Sequence, residues 1–268
     1  MNAVVASPST VKVTREDLAK TASPSRLNTF HTCRLQFYFR YVLQLKSTTT
    51  PARQVGSAVH HALSLWNKAR WRKEVLPAEK LEAQFNEYWD HPAAIKWDTG
   101  EEAESKVEAW KLVQTYLHNT PIPANESAEG VEVRVECDLQ HHGLPRLIGI
   151  LDLIRPAGLI VDFKTCAQTP NPEKAQHLHE LQTTAYALLY RDATGRLERG
   201  LELHHLVKLK TPKLVVTNLA PINETQKSRL FRQLESYVNG VLGEDWVPSP
   251  SPMSCSSCEY FNKCRHWG

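Results

Sequence analysis

The sequence of 268 residues lacks the signatures of several large protein classes. No apolar run approaches the ~20 residues that a membrane-spanning helix needs, so we expect no membrane insertion. Neither G-x-x-x-x-G-K-[S/T] nor G-x-G-x-x-G occurs, which leaves no support for a nucleotide-driven motor or for dinucleotide chemistry. The short apolar patch near the start follows no basic segment, and we therefore expect a cytoplasmic protein.

The composition is that of an ordinary globular protein with a slight excess of positive charge. Hydrophobic residues make up 41% and charged residues 23%, and the formal net charge is +3. This charge permits a nucleic-acid partner without requiring one. The six cysteines would lie in a reducing compartment, where metal ligation explains clustered thiols better than disulfides do.

Hydrophobic periodicity predicts an α/β protein with a mixed central β-sheet flanked by helices, a helical N-terminal part and a cysteine-rich tail. Helices are expected at 25–42 (one aromatic helix or a helix pair), 55–71, 78–89, 101–118, 172–193 and 224–242. Strands are expected at 130–139, 146–154, 159–165, 201–209 and 213–219. We divide the chain into an N-terminal extension (1–24), a helical region (25–129), a core (130–243) and a tail (244–268) that begins with a structureless Pro/Ser linker at 246–254.

The strand-like stretch Ile160–Thr165 carries a carboxylate and an ammonium group on one face. Side chains alternate along a strand, so Asp162 and Lys164 project from the same side. If residues 156–158 form a three-residue loop, Asp152 on the preceding strand lies directly opposite Asp162, with Cβ atoms about 5 Å apart. A two-residue loop would instead put the two aspartates on opposite faces.

Two carboxylates this close on apolar strands need a positive charge between them. A divalent cation such as Mg²⁺ supplies it, because proteins hold Mg²⁺ with one or two carboxylates together with water and phosphate oxygens. Lys164 would then orient a water or stabilise charge that develops on a phosphate. The alternative is a surface ion pair between Asp162 and Lys164 on an edge strand, since charged residues are mostly solvated.

Four short motifs, taken in order, resemble the PD-(D/E)XK nuclease superfamily and within it the RecB-type exonuclease branch. They are "GSAVH" (Gly56–His60), "GILD" (Gly149–Asp152), "VDFK" (Val161–Lys164) and "LQTTAY" (Leu181–Tyr186). The resemblance implies a restriction-endonuclease-like core and hydrolysis of phosphodiester bonds in DNA. It also implies a role in DNA repair or in CRISPR adaptation.

The resemblance assigns roles to six side chains. It implies that His60, Asp152 and Asp162 are ligands of Mg²⁺ or Mn²⁺. It implies that Lys164 is catalytic and that Gln182 and Tyr186 shape the site and hold DNA. Gln182 and Tyr186 are four residues apart in a predicted helix and therefore share one helix face.

The tail contains Cys255, Cys258 and Cys264 at C-x2-C-x5-C spacing, and a tetrahedral site needs a fourth thiolate. Cys33, Cys137 and Cys166 are the candidates, and spacing alone favours zinc slightly over a [4Fe–4S] cluster. The iron–sulfur branch of RecB-like nucleases, with its AddB-type and CRISPR-adaptation members, has one cysteine upstream of the core. The resemblance therefore implies a [4Fe–4S] cluster on Cys33, Cys255, Cys258 and Cys264, with zinc as the alternative occupant.

The segment Asn67–Lys73 is basic and is a candidate for tracking phosphates, through Arg70, Arg72 and Lys73. A solvated helix end explains the same charges. We predict a metal-dependent nuclease that acts mainly as an exonuclease on single-stranded DNA, with a helicase-type or integrase-type protein as a further partner. The alternatives are a non-catalytic nucleic-acid-binding subunit that retains the fold, and a zinc-stapled α/β protein with a surface ion pair.

Overall fold

The computed structural model describes residues 13–90, 95 and 97–267, and within them six strands form one mixed sheet. The strands are β1 (Thr21–Ala22), β2 (Gly130–Cys137), β3 (Arg146–Arg155), β4 (Leu159–Cys166), β5 (Gly200–Val207) and β6 (Lys213–Leu219). The helices are α1 (Arg15–Lys20), α2 (Pro24–Thr32), α3 (Arg34–Phe37), α4 (Pro51–Trp71), α5 (Ala78–Asp90), α6 (Glu101–Asn119), α7 (Pro172–Leu178), α8 (Glu180–Thr194), α9 (Glu224–Leu242), α10 (Pro252–Cys255) and α11 (Phe261–Cys264). A π-helical turn, Tyr38–Val42, continues α3.

The sheet forks along one edge of β3. On the other edge, β2 pairs antiparallel with β3 over most of its length. On the forked edge, β4 pairs with β3 only from Leu153 to Arg155, and β1 pairs with Arg146 and Leu147. Strand β4 then follows β5 in parallel as far as Cys166, and β5 pairs antiparallel with β6. An opening therefore lies between β3 and β4, beside residues 148–152.

Helices cover both faces of the sheet, as the mixed α/β prediction requires. On one face, α2, α3, α8 and α9 pack with Leu151 and Ile160 in one hydrophobic cluster. On the other face, α4, α5 and α6 pack with Leu153 and Phe163 in a second cluster. The predicted fold class is confirmed: a mixed sheet flanked by helices, consistent with a restriction-endonuclease-like core. No helix among the described residues is both long and apolar enough to cross a membrane.

Two of the predicted elements are broken in the structure. Of the two alternatives for 25–42, the structure has the helix pair, which breaks at Cys33, where the backbone is extended (φ −160°, ψ 112°). The predicted single helix at 172–193 is interrupted at His179. There, the Thr183 hydroxyl donates to the carbonyls of His179 and Glu180, a side-chain contact that bends helices.

The prediction of a structureless linker at 246–254 was wrong at both ends of the segment. Trp246 is buried and stacks on Phe37 and Tyr38, so the chain is fixed where the linker begins. The Ser251 hydroxyl accepts the Ser254 N–H and caps α10, which begins at Pro252. The tail is thus packed against the N-terminal helices by an aromatic anchor that Pro/Ser composition does not reveal.

Candidate active site

The hairpin of β3 and β4 has the register that a three-residue loop predicts. Arg155 pairs with Leu159 and Leu153 pairs with Val161, so Asp152 and Asp162 are the next opposed positions beyond the ladder. In the loop, Gly158 has φ +71°, and a Cβ atom there would lie 2.4 Å from the Tyr190 hydroxyl oxygen. Glycine is therefore required at position 158 both by the backbone and by the space.

Asp152 and Asp162 lie where the fork opens, and both are almost fully buried, with 9% and 3% of their surface exposed. The Asp152 Oδ2 atom accepts the backbone N–H of Phe163 at 3.0 Å, which ties the side chain of one strand to the backbone of the next. Burial, followed by the nearby charge of Asp162, raises the pKa of Asp152 to about 7. Two buried carboxylates thus oppose each other without full compensation.

The oxygens of Asp162 have unequal surroundings. Its Oδ1 accepts the side-chain amide of Gln182 at 3.0 Å, whereas its buried Oδ2 has no hydrogen-bond partner among the described residues. The same Oδ2 lies 2.7 Å from Lys164 Nζ, an ion pair without hydrogen-bond geometry. A buried carboxylate oxygen with this deficit is the type of donor that a hard divalent cation takes, so the residues present fit Mg²⁺ or Mn²⁺.

Gln182 connects the charged residues to the helix beside them. Lys164 Nζ donates to Gln182 Oε1 at 2.7 Å, and Gln182 Nε2 also donates to the Tyr186 hydroxyl at 2.8 Å. Burial, and then the charges of Asp162 and Asp152, raise the pKa of Tyr186 well above its ordinary value. Tyr186 therefore stays protonated, and the amide of Gln182 holds both the lysine and the carboxylate in place.

His60 projects from α4 toward Asp152. Its Nε2 lies 2.7 Å from the carbonyl oxygen of Phe163. A carbonyl only accepts, so Nε2 carries the proton of the neutral ring and Nδ1 carries the lone pair. Nδ1 lies 3.5 Å from Asp152 Oδ2.

The glycines of two motifs allow close approaches that place these side chains. A Cβ atom on Gly149 would lie 2.5 Å from Leu189 Cδ1, so this glycine lets β3 approach α8, which carries Gln182. A Cβ atom on Gly56 would lie 3.2 Å from Thr165 Oγ1, so α4 approaches β4 at that point. Both glycines are explained by packing between the elements that carry the site, without any direct role in chemistry.

Asp152 and Lys164 open onto a cleft of about 1320 Å³, whereas Asp162 is buried outside its lining. Its walls include α4, the start of α2, β2, β3 and the α7–α8 break, and its cationic side chains are Arg26, Arg53, Lys68, Arg134 and Lys164. Glu132 on β2 also lines the cleft and has φ +53°. Its charge contributes to the raised pKa of Asp152. A positive φ at a non-glycine residue is strained, and no sequence pattern marked it.

The structure places the three predicted DNA-binding cations away from this cleft. Arg70 donates to the Pro123 carbonyl and lies over the Trp66 ring, 4.5 Å from its centroid. Arg72 and Lys73 are exposed at the end of α4 and do not line the cleft. The contact of Arg70, Arg72 and Lys73 with DNA stays a prediction. Within the segment Asn67–Lys73, Lys68 is the cation that lines the cleft.

Three other cleft residues lay outside every sequence pattern. The rings of His61 and Tyr88 stack with centroids 4.3 Å apart and an angle of 16° between their planes. His179 lines the cleft at the break between α7 and α8, and burial, followed by the charge of Lys164, lowers its pKa to about 4. The two rings of the stack come from different helices, so local spacing carries no signal for them.

One small cavity of about 40 Å³ is lined by Cys33, Cys255, Cys258 and Cys264, although these cysteines come from opposite ends of the chain. Burial raises the pKa of Cys258 and Cys264, and the charges of Cys33 and Cys255 add to both shifts. All-sulfur donors suit iron–sulfur clusters and zinc. Within the part of the chain that the structure describes, however, no three His, Cys, Asp or Glu side chains are already gathered in ligating positions.

Two buried carboxylates and a lysine thus lie together where β3 and β4 separate, beside a cleft with cationic walls. The model of the PD-(D/E)XK nuclease superfamily matches residues 21–265, which is most of the chain. The chain belongs to the PD-(D/E)XK nuclease superfamily. The comparison with curated proteins gives no match.

Solved structures show where the same fold occurs. A crystal structure described as a "Putative exonuclease" from Eubacterium rectale covers 98% of this chain and 94% of its own, with a TM-score of 0.60 and 13% sequence identity. At this identity the likeness shows the fold alone. A structure of a protein designated SSO0001 aligns over 88% of this chain and 92% of its own at 14% identity, but its TM-score of 0.34 carries no argument.

Proposed function

We propose that the protein is a metal-dependent deoxyribonuclease that acts as an exonuclease on single-stranded DNA. The observation that carries the proposal is the pair of buried carboxylates, Asp152 and Asp162, at the mouth of the fork with Lys164 beside them. Superfamily membership supports hydrolysis of a phosphodiester. The exonuclease described for Eubacterium rectale supports action from an end.

In this proposal Asp152, Asp162 and the Nδ1 atom of His60 hold Mg²⁺ or Mn²⁺, which supplies Lewis acidity to the scissile phosphate when bound. Lys164, held by Gln182, stabilises negative charge on the phosphate oxygens as it develops. The Phe163 N–H keeps the Asp152 carboxylate aimed into the cleft. Tyr186 keeps the amide of Gln182 in position rather than transferring a proton, because its pKa is raised.

We further propose that Cys33, Cys255, Cys258 and Cys264 hold a [4Fe–4S] cluster. The shared cavity supports this, because it collects four thiols from sequence positions far apart. Their side chains would turn toward a common centre when the cluster binds. Such a cluster would fasten the tail to α2 and α3 and close a loop of more than 200 residues, which a tail with few buried residues needs.

The experiment that tests the proposal compares three DNA substrates in Mg²⁺, in Mn²⁺ and in EDTA. An exonuclease degrades a linear single strand and leaves a circular single strand intact, whereas an endonuclease cuts both. A blunt duplex of the same sequence reports the strand preference. If the protein binds the linear strand but cleaves it in neither metal, the protein is a non-catalytic binding subunit and not an enzyme.

A further inference from the structure

One wall of the cleft is a face of α4 that extends well beyond the carboxylates. The side chains of this face that line the cleft include Arg53, His60, His61 and Lys68. At 1.5 Å per residue, Arg53 and Lys68 lie about 10 Å and about 12 Å from His60 along the helix axis, in opposite directions. Cations thus flank the carboxylates on both sides, where the phosphates of a strand passing through would lie.

Between His60 and Lys68 this wall carries the stack of His61 and Tyr88. The two rings are nearly parallel, at 16°, and their centroids are 4.3 Å apart. Both residues line the cleft, and Tyr88 keeps 36% of its surface exposed.

Helix packing does not account for this stack. The contact between α4 and α5 is already closed by buried apolar residues, among them Val59 and Leu63 on α4 and Phe85 and Trp89 on α5. Tyr88 lies outside that hydrophobic cluster and faces the cleft. Tyr88 thus leaves part of an aromatic ring open inside a concave site, and aromatic side chains commonly line the concave sites that bind ligands.

Other exposed apolar side chains in the cleft point to the same class of ligand. Ile150, two residues before Asp152, is 49% exposed, and Leu178 at the end of α7 is 75% exposed. A duplex presents phosphates outward and keeps the faces of its bases stacked inside, so it has little to offer such groups. A single strand exposes the base faces and binds to aromatic side chains beside a basic groove.

We propose that the His61–Tyr88 stack is a subsite for one unpaired nucleobase next to the scissile phosphate. This inference rests on the proposed nuclease function and adds to it the element that selects single strands. The base would lie against the exposed face of the stack, while Lys68 contacts the adjoining phosphate. Stacking requires no particular base, so the subsite favours unpaired strands without favouring a sequence.

The test measures the Kd of fluorescein-labelled DNA by fluorescence anisotropy in EDTA, where cleavage is off. The probes are an oligothymidine single strand and a strand of the same length whose central positions are abasic. The variants are Tyr88→Ala and Tyr88→Phe. Trp71→Ala is the matched control, because Trp71 lies on α4, is 43% exposed and does not line the cleft.

Tyr88→Ala should raise the Kd for oligothymidine about tenfold, the usual effect of removing one stacking partner, whereas Tyr88→Phe and Trp71→Ala should leave it unchanged. The abasic strand should bind wild type and Tyr88→Ala equally. If Tyr88→Ala binds oligothymidine like wild type, or loses as much on the abasic strand, the subsite is wrong. If the wild-type protein still cleaves DNA in either of those cases, the proposed function stands and only the subsite is wrong. If the wild-type protein neither binds nor cleaves DNA, both the subsite and the proposed function are wrong.

Discussion

The Asp152 carboxylate accepts the backbone N–H of Phe163 at 3.0 Å, across the point where β3 and β4 separate. The bond fixes this carboxylate through the fold, before any cation is present. It also holds Asp152 close to Asp162 in a buried place, where the pKa of Asp152 is raised to about 7. The site is therefore positioned in advance at a cost in stability, a common arrangement in functional sites.

Replacing Asp152 with asparagine should make the metal-free protein more stable, increasingly so as pH rises. The pKa of Asp152 is higher in the folded state, so its contribution to stability is fully present below about pH 4 and is lost as pH rises through about 7. The difference in the free energy of unfolding between Asp152→Asn and wild type should grow by about 4 kcal/mol, at 1.36 kcal/mol per pH unit. Urea unfolding in EDTA across this range measures it, and a constant difference would contradict the raised pKa.

Removing Gln182 should impair catalysis through Lys164. Gln182→Ala should lower kcat about 10- to 100-fold, as loss of an orienting contact does, and Lys164→Ala about 10²- to 10³-fold. Because both act through one contact, the double variant should lose little more than Lys164→Ala alone. Single-turnover cleavage gives the rates, with the exposed α6 residue Gln114→Ala as the control. Fully multiplicative losses would show that the two side chains act independently.

Arg155 should be important for stability. It donates to Glu126 at 2.8 and 2.9 Å and to Glu202 at 2.8 Å, and its side chain is only 12% exposed. Arg155→Ala removes the bidentate partner of Glu126 and one of the two partners of Glu202, which keeps His204, and should cost about 3–5 kcal/mol. Arg134→Ala, at a side chain that is 68% exposed, should cost at most about 0.5 kcal/mol. Urea unfolding compares the two, and equal losses would contradict the role of burial.

The cysteine cavity should hold metal through four particular thiols. Protein purified without air should contain four irons and show visible absorption. The Cys33→Ser variant should lose the iron, the visible absorption and part of the thermal stability. Cys137→Ser is the control, because Cys137 is buried in the core outside the cavity. One zinc per chain without visible absorption would show that zinc, and not an iron–sulfur cluster, occupies the site. Full retention of metal in Cys33→Ser would remove Cys33 from the site.

The sequence was informative where local geometry decides the outcome. Loop length alone predicted the register that opposes Asp152 and Asp162, and helix spacing placed Gln182 and Tyr186 on one face. The fork itself depends on β1 and β5, which pair with β3 and β4 from distant parts of the chain. No local pattern encodes that pairing, so the strained Glu132 and the depth of the cleft could not be predicted.

Side-chain partners that come from separate elements were also beyond the sequence. Charge alone suggested that Arg70 faces DNA, but the structure engages it with a carbonyl and a tryptophan ring. The Pro/Ser composition suggested a structureless linker, but Trp246 anchors it on aromatic side chains of the N-terminal helices. In the linker, tertiary contacts override the tendency of the segment, whereas the contact of Arg70 with DNA stays a prediction.

The central claim is that the fork carboxylates form a metal-dependent nuclease centre. The most direct measurement is single-turnover cleavage of end-labelled single-stranded DNA by wild type, Asp162→Asn and Glu136→Gln, with Mn²⁺ and with EDTA. Glu136 is an exposed carboxylate of β2 with surface arginine partners. The account predicts cleavage by wild type and Glu136→Gln in Mn²⁺ only, and none by Asp162→Asn. Cleavage by Asp162→Asn at the wild-type rate would contradict it.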